Sequence, residues 1–295
     1  MHKIARLILG WLERALGKKI VYVPGTRHLQ NKTAVKTEQG FWYVGDITDT
    51  HDLAYGILHN GVLEKNETEL VKKILESWLG SGQRVNFYDI GANSGYYGIL
   101  AAFLGKGKIR TYSFEPLREF CESLRETSRI NSLDSLVSVN NFALGSKNGE
   151  AEITLAGTGS SLNPRFLGLN VNNKRKVVVK KLDDYINTQA DLVPNFIKID
   201  VEGFEFEVLI GAEETISKFK PVLYVEIARS LNNLGRNFIN SDFEKTFSFF
   251  ERFGYVPFVY ERKELSRVDK NFNRQGVFMF LFVPESQLRA IQSIF

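Results

Sequence analysis

A chain of 295 residues accommodates two ordinary domains, or one α/β domain with an extension. Its composition, with 43% hydrophobic residues, 24% charged residues and only 7 prolines, excludes collagen-like, disordered and disulfide-stapled proteins. Residues 1–20 hold five basic residues against one acidic residue and so carry the whole net charge of +4. The remainder is neutral, which disfavours a broad nucleic-acid-binding surface.

The first predicted element is an amphipathic helix over residues 1–18. Its apolar residues recur at three- and four-residue steps and form one stripe: Ile4, Leu7, Ile8, Trp11, Leu12, Ala15 and Leu16. Two interpretations stay open, because the stripe can pack on the main domain or lie on an anionic membrane surface. We expect no signal peptide, since Glu13 directly follows a short apolar stretch, and no transmembrane span of roughly 20 apolar residues.

Short strands follow this helix. They are predicted at 20–23, 33–37 and 41–47, and with the helix they make up an N-terminal extension over residues 1–66. The spacing of apolar residues then predicts a helix from Glu67 to Leu79.

The rest of the chain alternates apolar strands with helices. Seven strands are predicted, at 85–90, 109–114, 137–144, 196–201, 222–227, 255–260 and 277–283. Strands that are apolar on both faces predict one α/β domain over residues 67–295, with a mostly parallel seven-stranded sheet and helices on both faces. The last two strands have no helix between them, which predicts a hairpin and an antiparallel edge strand.

A glycine-punctuated turn, DIGANSG from Asp89 to Gly95, follows the first strand of this sheet. Ligands bind outside the carboxyl ends of such strands, and Gly91 and Gly95 permit a positive φ and a close approach of the backbone. Glu115 ends the second strand 24 residues after Gly91, an offset suited to ribose hydroxyls. The turn predicts a nucleotide-type cofactor, with a purely structural turn as the alternative.

The residues of the turn favour a cationic cofactor over a dinucleotide. Asn93 stands where the fingerprint G-x-G-x-x-G has its second glycine, and Gly98 is displaced by one residue. Asp89 would repel a pyrophosphate, whereas a carboxylate attracts the ammonium and sulfonium groups of S-adenosylmethionine. We therefore predict S-adenosylmethionine as the cofactor.

Several motifs in order resemble the FkbM-type methyltransferase family. They are FYDIGANSGYYGILAA at 87–102, SFEP at 113–116, NNFALG at 140–145, IKIDVEGFEFEVLIGA at 197–212 and PVLYVEI at 221–227. The resemblance covers about residues 60–230. It implies a class I, Rossmann-like methyltransferase fold and methyl transfer from S-adenosylmethionine, most often to a hydroxyl of a sugar or related natural product.

The resemblance also implies roles for individual residues. Those implied for the methionine part of the cofactor are Asp89, Gly91, Asn93 and Gly95. Glu115 is implied for the ribose, and Asn141 with Ala143 for the adenine. Asn141 has an alternative role, which is to satisfy backbone groups at the end of a strand.

Asp200 and Glu202 follow the fourth strand, close to where the class I fold presents the methyl group. They are candidates for a general base, for substrate hydrogen bonding or for a divalent-metal site, with capping of the next helix as the alternative. His51 is a candidate base from the N-terminal extension, and Glu226 is a weaker candidate for substrate binding. The polar loop at 157–163 is a candidate lid.

The remaining observations bound the function. The four histidines lack a spacing such as HExxH, so the sequence assigns no dedicated metal ligands. The single cysteine, Cys121, favours a cytoplasmic protein. We expect O-methylation of a saccharide or small-molecule acceptor and no nucleic-acid partner, with peripheral contact at the inner membrane surface if residues 1–18 bind lipid. The alternatives are a nucleic-acid methyltransferase and a non-catalytic, membrane-associated cofactor-binding protein.

Overall fold

A computed structural model describes residues 32–163, 173–188, 192–227, 240, 242–274 and 276–295, and the backbone of 26–28. The predicted N-terminal helix and the predicted strand at 20–23 lie outside the described residues. Among the described helices, none is long and apolar enough to cross a membrane.

The N-terminal layer is a small antiparallel sheet followed by two helices. The sheet consists of β1 (Thr26–His28), β2 (Thr33–Lys36) and β3 (Trp42–Gly45), and the helices are α1 (Leu53–Asn60) and α2 (Lys65–Gly80). The predicted strands at 33–37 and 41–47 are thus present as β2 and β3. Phe41 and Tyr43 are fully buried in the same apolar cluster as α2.

The central sheet has eight strands. In chain order they are β4 (Val85–Ile90), β5 (Ile109–Phe114), β6 (Val137–Asn140), β10 (Phe196–Ile199), β11 (Val222–Glu226), β12 (Tyr255–Glu261), β13 (Glu264–Arg267) and β14 (Met279–Pro284). Their spatial order is β13-β12-β14-β11-β10-β4-β5-β6. The five strands from β11 to β6 pair in parallel, so the prediction of a mostly parallel sheet is confirmed.

The antiparallel part of this sheet differs from the prediction. β12 and β14 pair antiparallel as expected, but β14 lies between β11 and β12 and is therefore an internal strand. The edge is the short strand β13, which the sequence analysis missed and which raises the strand count from seven to eight. β13 is polar and largely exposed, so it lacks the apolar pattern on which strand prediction depends.

Helices cover both faces of the central sheet. One face carries α2, α3 (Tyr96–Gly105) and α4 (Arg118–Ile130), and the other carries α5 (Leu182–Ile186), α6 (Glu205–Ile210), α7 (Glu213–Phe219) and α8 (Phe243–Arg252). A short helix, α9 (Leu288–Gln292), ends the chain. Strand residues alternate between two apolar clusters, since Phe87 packs in one and Tyr88 in the other.

A second small sheet lies beside the carboxyl ends of the central strands. It consists of β7 (Ala143–Leu144), β8 (Gly149–Thr154) and β9 (Lys174–Lys180) in the order β7-β9-β8. The sequence analysis treated residues 137–144 as one strand, but β6 and β7 belong to different sheets. The chain turns at Asn141, whose Nδ2 donates to the backbone oxygens of Glu115 (3.0 Å) and Pro116 (2.9 Å).

Candidate active site

Most of the predicted site residues meet in one cavity at the carboxyl ends of β4, β5 and β10. Those that line it are Asp89, Gly91, Asn93, Glu115, Ala143, Asp200 and Glu202. Gly95, Asn141 and His51 are not among its lining residues. The parallel strands bring together residues that are more than a hundred positions apart in sequence, as expected for an open α/β sheet.

Every backbone N–H group from Gly91 to Gly95 donates a hydrogen bond to an acceptor within the protein. Those of Gly91 and Ala92 both donate to the Phe114 carbonyl oxygen at 3.0 Å, and that of Gly95 donates to Ala92. The N–H of Asn93 donates to Glu115 Oε2 (3.0 Å), and that of Ser94 to Asn93 Oδ1 (2.7 Å). A pyrophosphate needs such donors free, so the turn does not fit a dinucleotide.

The two predicted glycines of the turn allow other parts of the chain to pack closely against it. Gly91 has φ +78, and a Cβ there would lie 1.8 Å from the Asp200 carbonyl oxygen, so this glycine lets the ends of β4 and β10 touch. Gly95 has φ +86 and begins α3, and a Cβ there would lie 2.3 Å from Leu124. Gly91 therefore forms part of the floor of the cavity, while Gly95 allows α3 to pack closely against α4.

Asp89 is buried below the turn, with 1% of its surface exposed. Its Oδ2 accepts the N–H of Gly98 at 2.9 Å, and Gly98 sits so close to β5 that a Cβ would lie 2.6 Å from Ser113 Oγ. Burial raises the pKa of Asp89 to about 6, although the Lys198 ammonium opposes the shift. Asp89 thus supplies negative charge above pH 6 in a part of the cavity that excludes water.

Glu115 joins the end of β5 to the glycine turn. Besides the bond from Asn93, its Oε1 accepts the N–H of Leu117 at 2.8 Å, and burial raises its pKa to about 7. Each carboxyl oxygen accepts one backbone N–H and keeps a second lone pair. This geometry suits a pair of ribose hydroxyls.

The cavity has one apolar end. Its lining there consists of Leu117, Phe120, Ala143, Leu144, Ile153 and Phe204. A planar base fits between such side chains, and the predicted residue Ala143 is one of them. Asn141 lies outside this group, and its amide holds the chain turn between β6 and β7 as described above.

The opposite end of the cavity carries a cluster of carboxyl groups around one buried ammonium. Lys198 is 2% exposed, and its Nζ donates to Asp200 Oδ2 at 2.7 Å. Burial raises the pKa of Asp200, but the Lys198 charge outweighs it and holds that pKa below its ordinary value. Burial and the neighbouring Asp200 raise the pKa of Glu226 well above its ordinary value, which favours its protonated form.

Glu202 differs from Asp200 although it lies only two residues further on. Its φ is +55, a left-handed conformation that is uncommon outside glycine, and Gly203 follows with φ +89. Burial, and then the charge of Asp200, raise the pKa of Glu202 to about 8. One carboxyl is therefore ionised at neutral pH, while the other is poised to take up or release a proton.

Helix capping does not explain this pair of carboxyl groups. The N-cap of α6 is Phe204, and no side chain caps it. The residue that supports the turn is Glu205, which is buried and accepts the Gly203 N–H at 2.8 Å. The capping alternative for Asp200 and Glu202 is therefore wrong, because the turn adds two left-handed residues before the helix begins.

His51 lies on the surface at the start of α1. Its side chain is 87% exposed and contacts Asp49. Only its backbone oxygen approaches the cavity region, where it accepts the Thr158 hydroxyl at 3.4 Å.

Two residues in the cavity were missed by the sequence analysis. Glu64 precedes α2 with φ +43, and its Oε2 accepts the Tyr97 hydroxyl at 2.7 Å. The Tyr97 ring in turn lies 4.6 Å from the Lys198 ammonium. A single glutamate before a helix carries no signal of such a contact, since it depends on how the N-terminal layer packs on α3.

The spacing of three carboxyl groups is also relevant to metal binding. Oxygens of Asp200, Glu202 and Glu226 all lie within 4.8 Å of one another. The charge of Asp200 is already met by the Lys198 ammonium at 2.7 Å. We therefore describe the cluster as hydrogen-bonding and proton-transfer groups and assign no ion to it.

The chain is similar to several solved structures. Methyltransferase FkbM from Methylobacillus flagellatus KT has 21% identity and a TM-score of 0.45, with 79% of this chain and 55% of that chain covered. A SAM-dependent O-methyltransferase from Thermotoga maritima has 10% identity and a TM-score of 0.39, with coverage of 89% and 86%. A SAM-dependent methyltransferase from Agrobacterium tumefaciens has 12% identity and a TM-score of 0.43, with coverage of 92% and 78%. This chain therefore spans about half the length of the Methylobacillus protein.

The strand order and the cavity at the strand ends are those of a class I methyltransferase fold, and the glycine turn without free N–H groups suits S-adenosylmethionine better than a dinucleotide. A sequence model described as the Methyltransferase FkbM domain matches residues 89–257, more than half of the chain. The chain belongs to this FkbM methyltransferase family, which confirms the resemblance. No curated protein sequence matches the chain significantly.

Proposed function

We propose that this methyltransferase transfers its methyl group to a hydroxyl of a sugar, glycan or glycolipid-type acceptor. The observation that carries the proposal is the Glu202 carboxyl, which lines the cofactor cavity and has a pKa of about 8. A hydroxyl must lose its proton during methylation, and a base is most effective when its pKa lies near the working pH. Asp200 meets this need less well, because its charge is bound to Lys198.

The two ends of the cavity support an orientation for the cofactor. In this proposal the carboxyl end, with Asp89 and the backbone of Gly91 and Asn93, holds the cationic methionine part. Glu115 holds the ribose, and the apolar end beside Ala143 holds the adenine. Gly95 and Asn141 act indirectly, since they fix the helix α3 and the chain turn that form the walls of the cavity.

When bound, the cofactor would supply an electrophilic methyl group for the acceptor oxygen and would leave as the neutral thioether. Glu202 accepts the hydroxyl proton at its carboxylate. Asp200 stays ionised beside Lys198 and favours positive charge at the reacting end of the cavity. Positioning of the two reactants accounts for up to about 7–11 kcal/mol of the barrier, and the base adds about 10²- to 10⁴-fold.

The proposal is tested by methyl transfer from radiolabelled S-adenosylmethionine to a panel of neutral mono- and oligosaccharides, extracted glycolipids and RNA. We expect label in a saccharide-containing acceptor and none in RNA. Glu202→Gln should lower the rate about 10²- to 10⁴-fold while cofactor affinity stays within about twofold. Glu76→Gln, an exposed change on α2, is the matched control. Transfer to RNA alone, or full activity of Glu202→Gln, would refute the proposal.

A further inference from the structure

The described residues that directly follow β8 are hydrogen-bonded to both sides of the cavity. We call residues 156–163 the clamp loop. An isolated antiparallel bridge between Thr154 and Ser161 fixes its base to the end of β8. Thr158, Ser160 and Leu162 of the clamp loop line the cavity.

One end of the clamp loop holds the turn that carries Glu202. Ser161 is 1% exposed, and its hydroxyl donates to the Glu202 carbonyl oxygen at 2.5 Å while accepting the Asn163 N–H at 2.9 Å. Asn163 Nδ2 donates to the Gly203 carbonyl oxygen at 2.9 Å. Two consecutive carbonyl groups of the turn are thus fixed by side chains of the clamp loop.

Those two carbonyl groups belong to two consecutive left-handed residues. A non-glycine residue such as Glu202 costs of order 1–3 kcal/mol in this conformation, and it persists only where the surroundings hold it. Glu205 and Gly203 supply one such contact through the bond described above. The hydroxyl of Ser161 and the amide of Asn163 supply two more.

The other end of the clamp loop reaches the cofactor turn. Asn93 Nδ2 donates to the Thr158 carbonyl oxygen at 3.4 Å, and the Thr158 hydroxyl reaches the backbone oxygen of His51 at the same distance. Both contacts are long, whereas those at Ser161 and Asn163 are short. The clamp loop is therefore anchored at the Glu202 side and only lightly attached at the cofactor side.

We propose that Ser161 and Asn163 are positioning residues that hold the Glu202 carboxyl in the cavity. The inference rests on the proposed function for its catalytic meaning, but the geometry it describes is testable without turnover. Without the two bonds the turn relaxes from its left-handed conformation, and the Glu202 carboxyl moves away from the cavity toward water. A shift of about 1 Å in a catalytic group is enough to lower a rate by roughly 10²-fold.

The titration of Glu202 reports its position, because several titratable groups lie near it there. They are Asp200 on the same turn, Lys198 on β10, Glu205 on α6, Glu226 on β11 and Glu64 before α2. Burial and the carboxylates among them keep the Glu202 proton in place. Displacement toward water removes both causes, so the pKa falls toward that of a free glutamate.

The experiment is a ¹³C NMR titration of full-length protein labelled at the glutamate carboxyl carbons, with the Glu202 signal assigned from Glu202→Gln. We expect a midpoint near 8 in the unmodified protein. Ser161→Ala and Asn163→Ala should each lower it by about one pH unit or more. Ser161→Thr, which keeps the hydroxyl, and Asn173→Ala, an exposed change at the start of β9, should leave it in place. Melting curves confirm that each variant is folded.

Unchanged midpoints in both Ser161→Ala and Asn163→Ala would overturn the proposal. So would a midpoint near 4.5 in the unmodified protein, because Glu202 would then not be held in the cavity. A failure of the proposed function gives a different result. If the midpoint falls in these variants but Glu202→Gln transfers methyl groups at the full rate, Ser161 and Asn163 do position Glu202, but Glu202 is not the base.

Discussion

Glu202→Gln should make the protein more stable at alkaline pH while removing its activity. The fold raises the pKa of Glu202 from 4.5 to about 8, so between these values the folded state binds more protons than the unfolded state. Stability therefore falls as the pH rises from about 5 to 8, and the full loss is present above the folded pKa. Glutamine has the same shape and no charge, so the variant escapes this loss.

The structure sets the size of the effect. A difference of about 3.5 pH units corresponds to at most about 5 kcal/mol at 1.36 kcal/mol per unit. Glu202 is partly exposed and shares its charge repulsion with Asp200, so we expect about 1–2 kcal/mol at pH 9. For a chain of this length that is an increase in Tm of about 2–4 °C, and at pH 5 the increase should be under about 1 °C.

Thermal denaturation of the two proteins at pH 5, 7 and 9 measures this difference directly. Glu76→Gln, the exposed control on α2, should show the same Tm as the unmodified protein at each pH. If Glu202→Gln melts at or below the temperature of the unmodified protein at pH 9, the burial of the Glu202 carboxyl in the folded protein is refuted. A stabilised but inactive variant is the expected signature of a strained catalytic residue.

Three further variants test other parts of the site. Gly91→Ala should cost at least about 3 kcal/mol of stability, because its Cβ would lie 1.8 Å from the Asp200 carbonyl oxygen, whereas Gly107→Ala, with φ +92 and nothing within 4 Å, should cost about 1 kcal/mol. Equal melting temperatures would show that β4 and β10 do not touch there. Glu115→Gln should weaken S-adenosylmethionine binding about 10- to 100-fold by calorimetry, since an amide replaces one of two acceptors; an unchanged Kd would remove Glu115 from the site. Lys198→Met should lower the free energy of unfolding by about 3–5 kcal/mol in chemical denaturation, because it leaves a buried charge unpaired. The double variant Lys198→Met with Asp200→Asn removes that charge and should recover most of the loss. No recovery would mean that the two residues are not coupled.

The central sheet was predictable because its strands are apolar on both faces. The two helix layers bury both sides of β4, β10 and β11, so each strand appears in the sequence as a mostly apolar run bounded by turns. The glycine turn was also predictable, because a strand followed by DIGANSG is typical of a cofactor-binding turn. What the sequence could not reveal was why the glycines are needed, since Gly91 makes room for a carbonyl group that lies more than a hundred residues away.

The second small sheet was missed because its strands have no such pattern. β9 has the sequence KRKVVVK, in which only two residues are buried, and β8 is mostly exposed. They pair antiparallel through their backbones from Gly149 with Val179 to Thr154 with Lys174, and the exposed ion pair of Lys174 with Glu152 lies across them. Strands that are exposed on most positions resemble loops at the level of hydrophobic periodicity.

The chemistry of the two neighbouring carboxyl groups lies beyond what any local pattern can show. In the sequence IKIDVEG the residues Asp200 and Glu202 are equivalent: two acids after a buried strand, one on each side of a valine. The fold separates them, because Asp200 lies 2.7 Å from the Lys198 ammonium, whereas the backbone turns left-handed at Glu202. The ammonium lowers the pKa of Asp200, whereas burial and then the charge of Asp200 raise the pKa of Glu202. A fold can thus give two acids of the same kind different properties. An acid beside a fixed cation stays ionised and supplies a stabilising charge, whereas an acid without one keeps a raised pKa and can serve as a base.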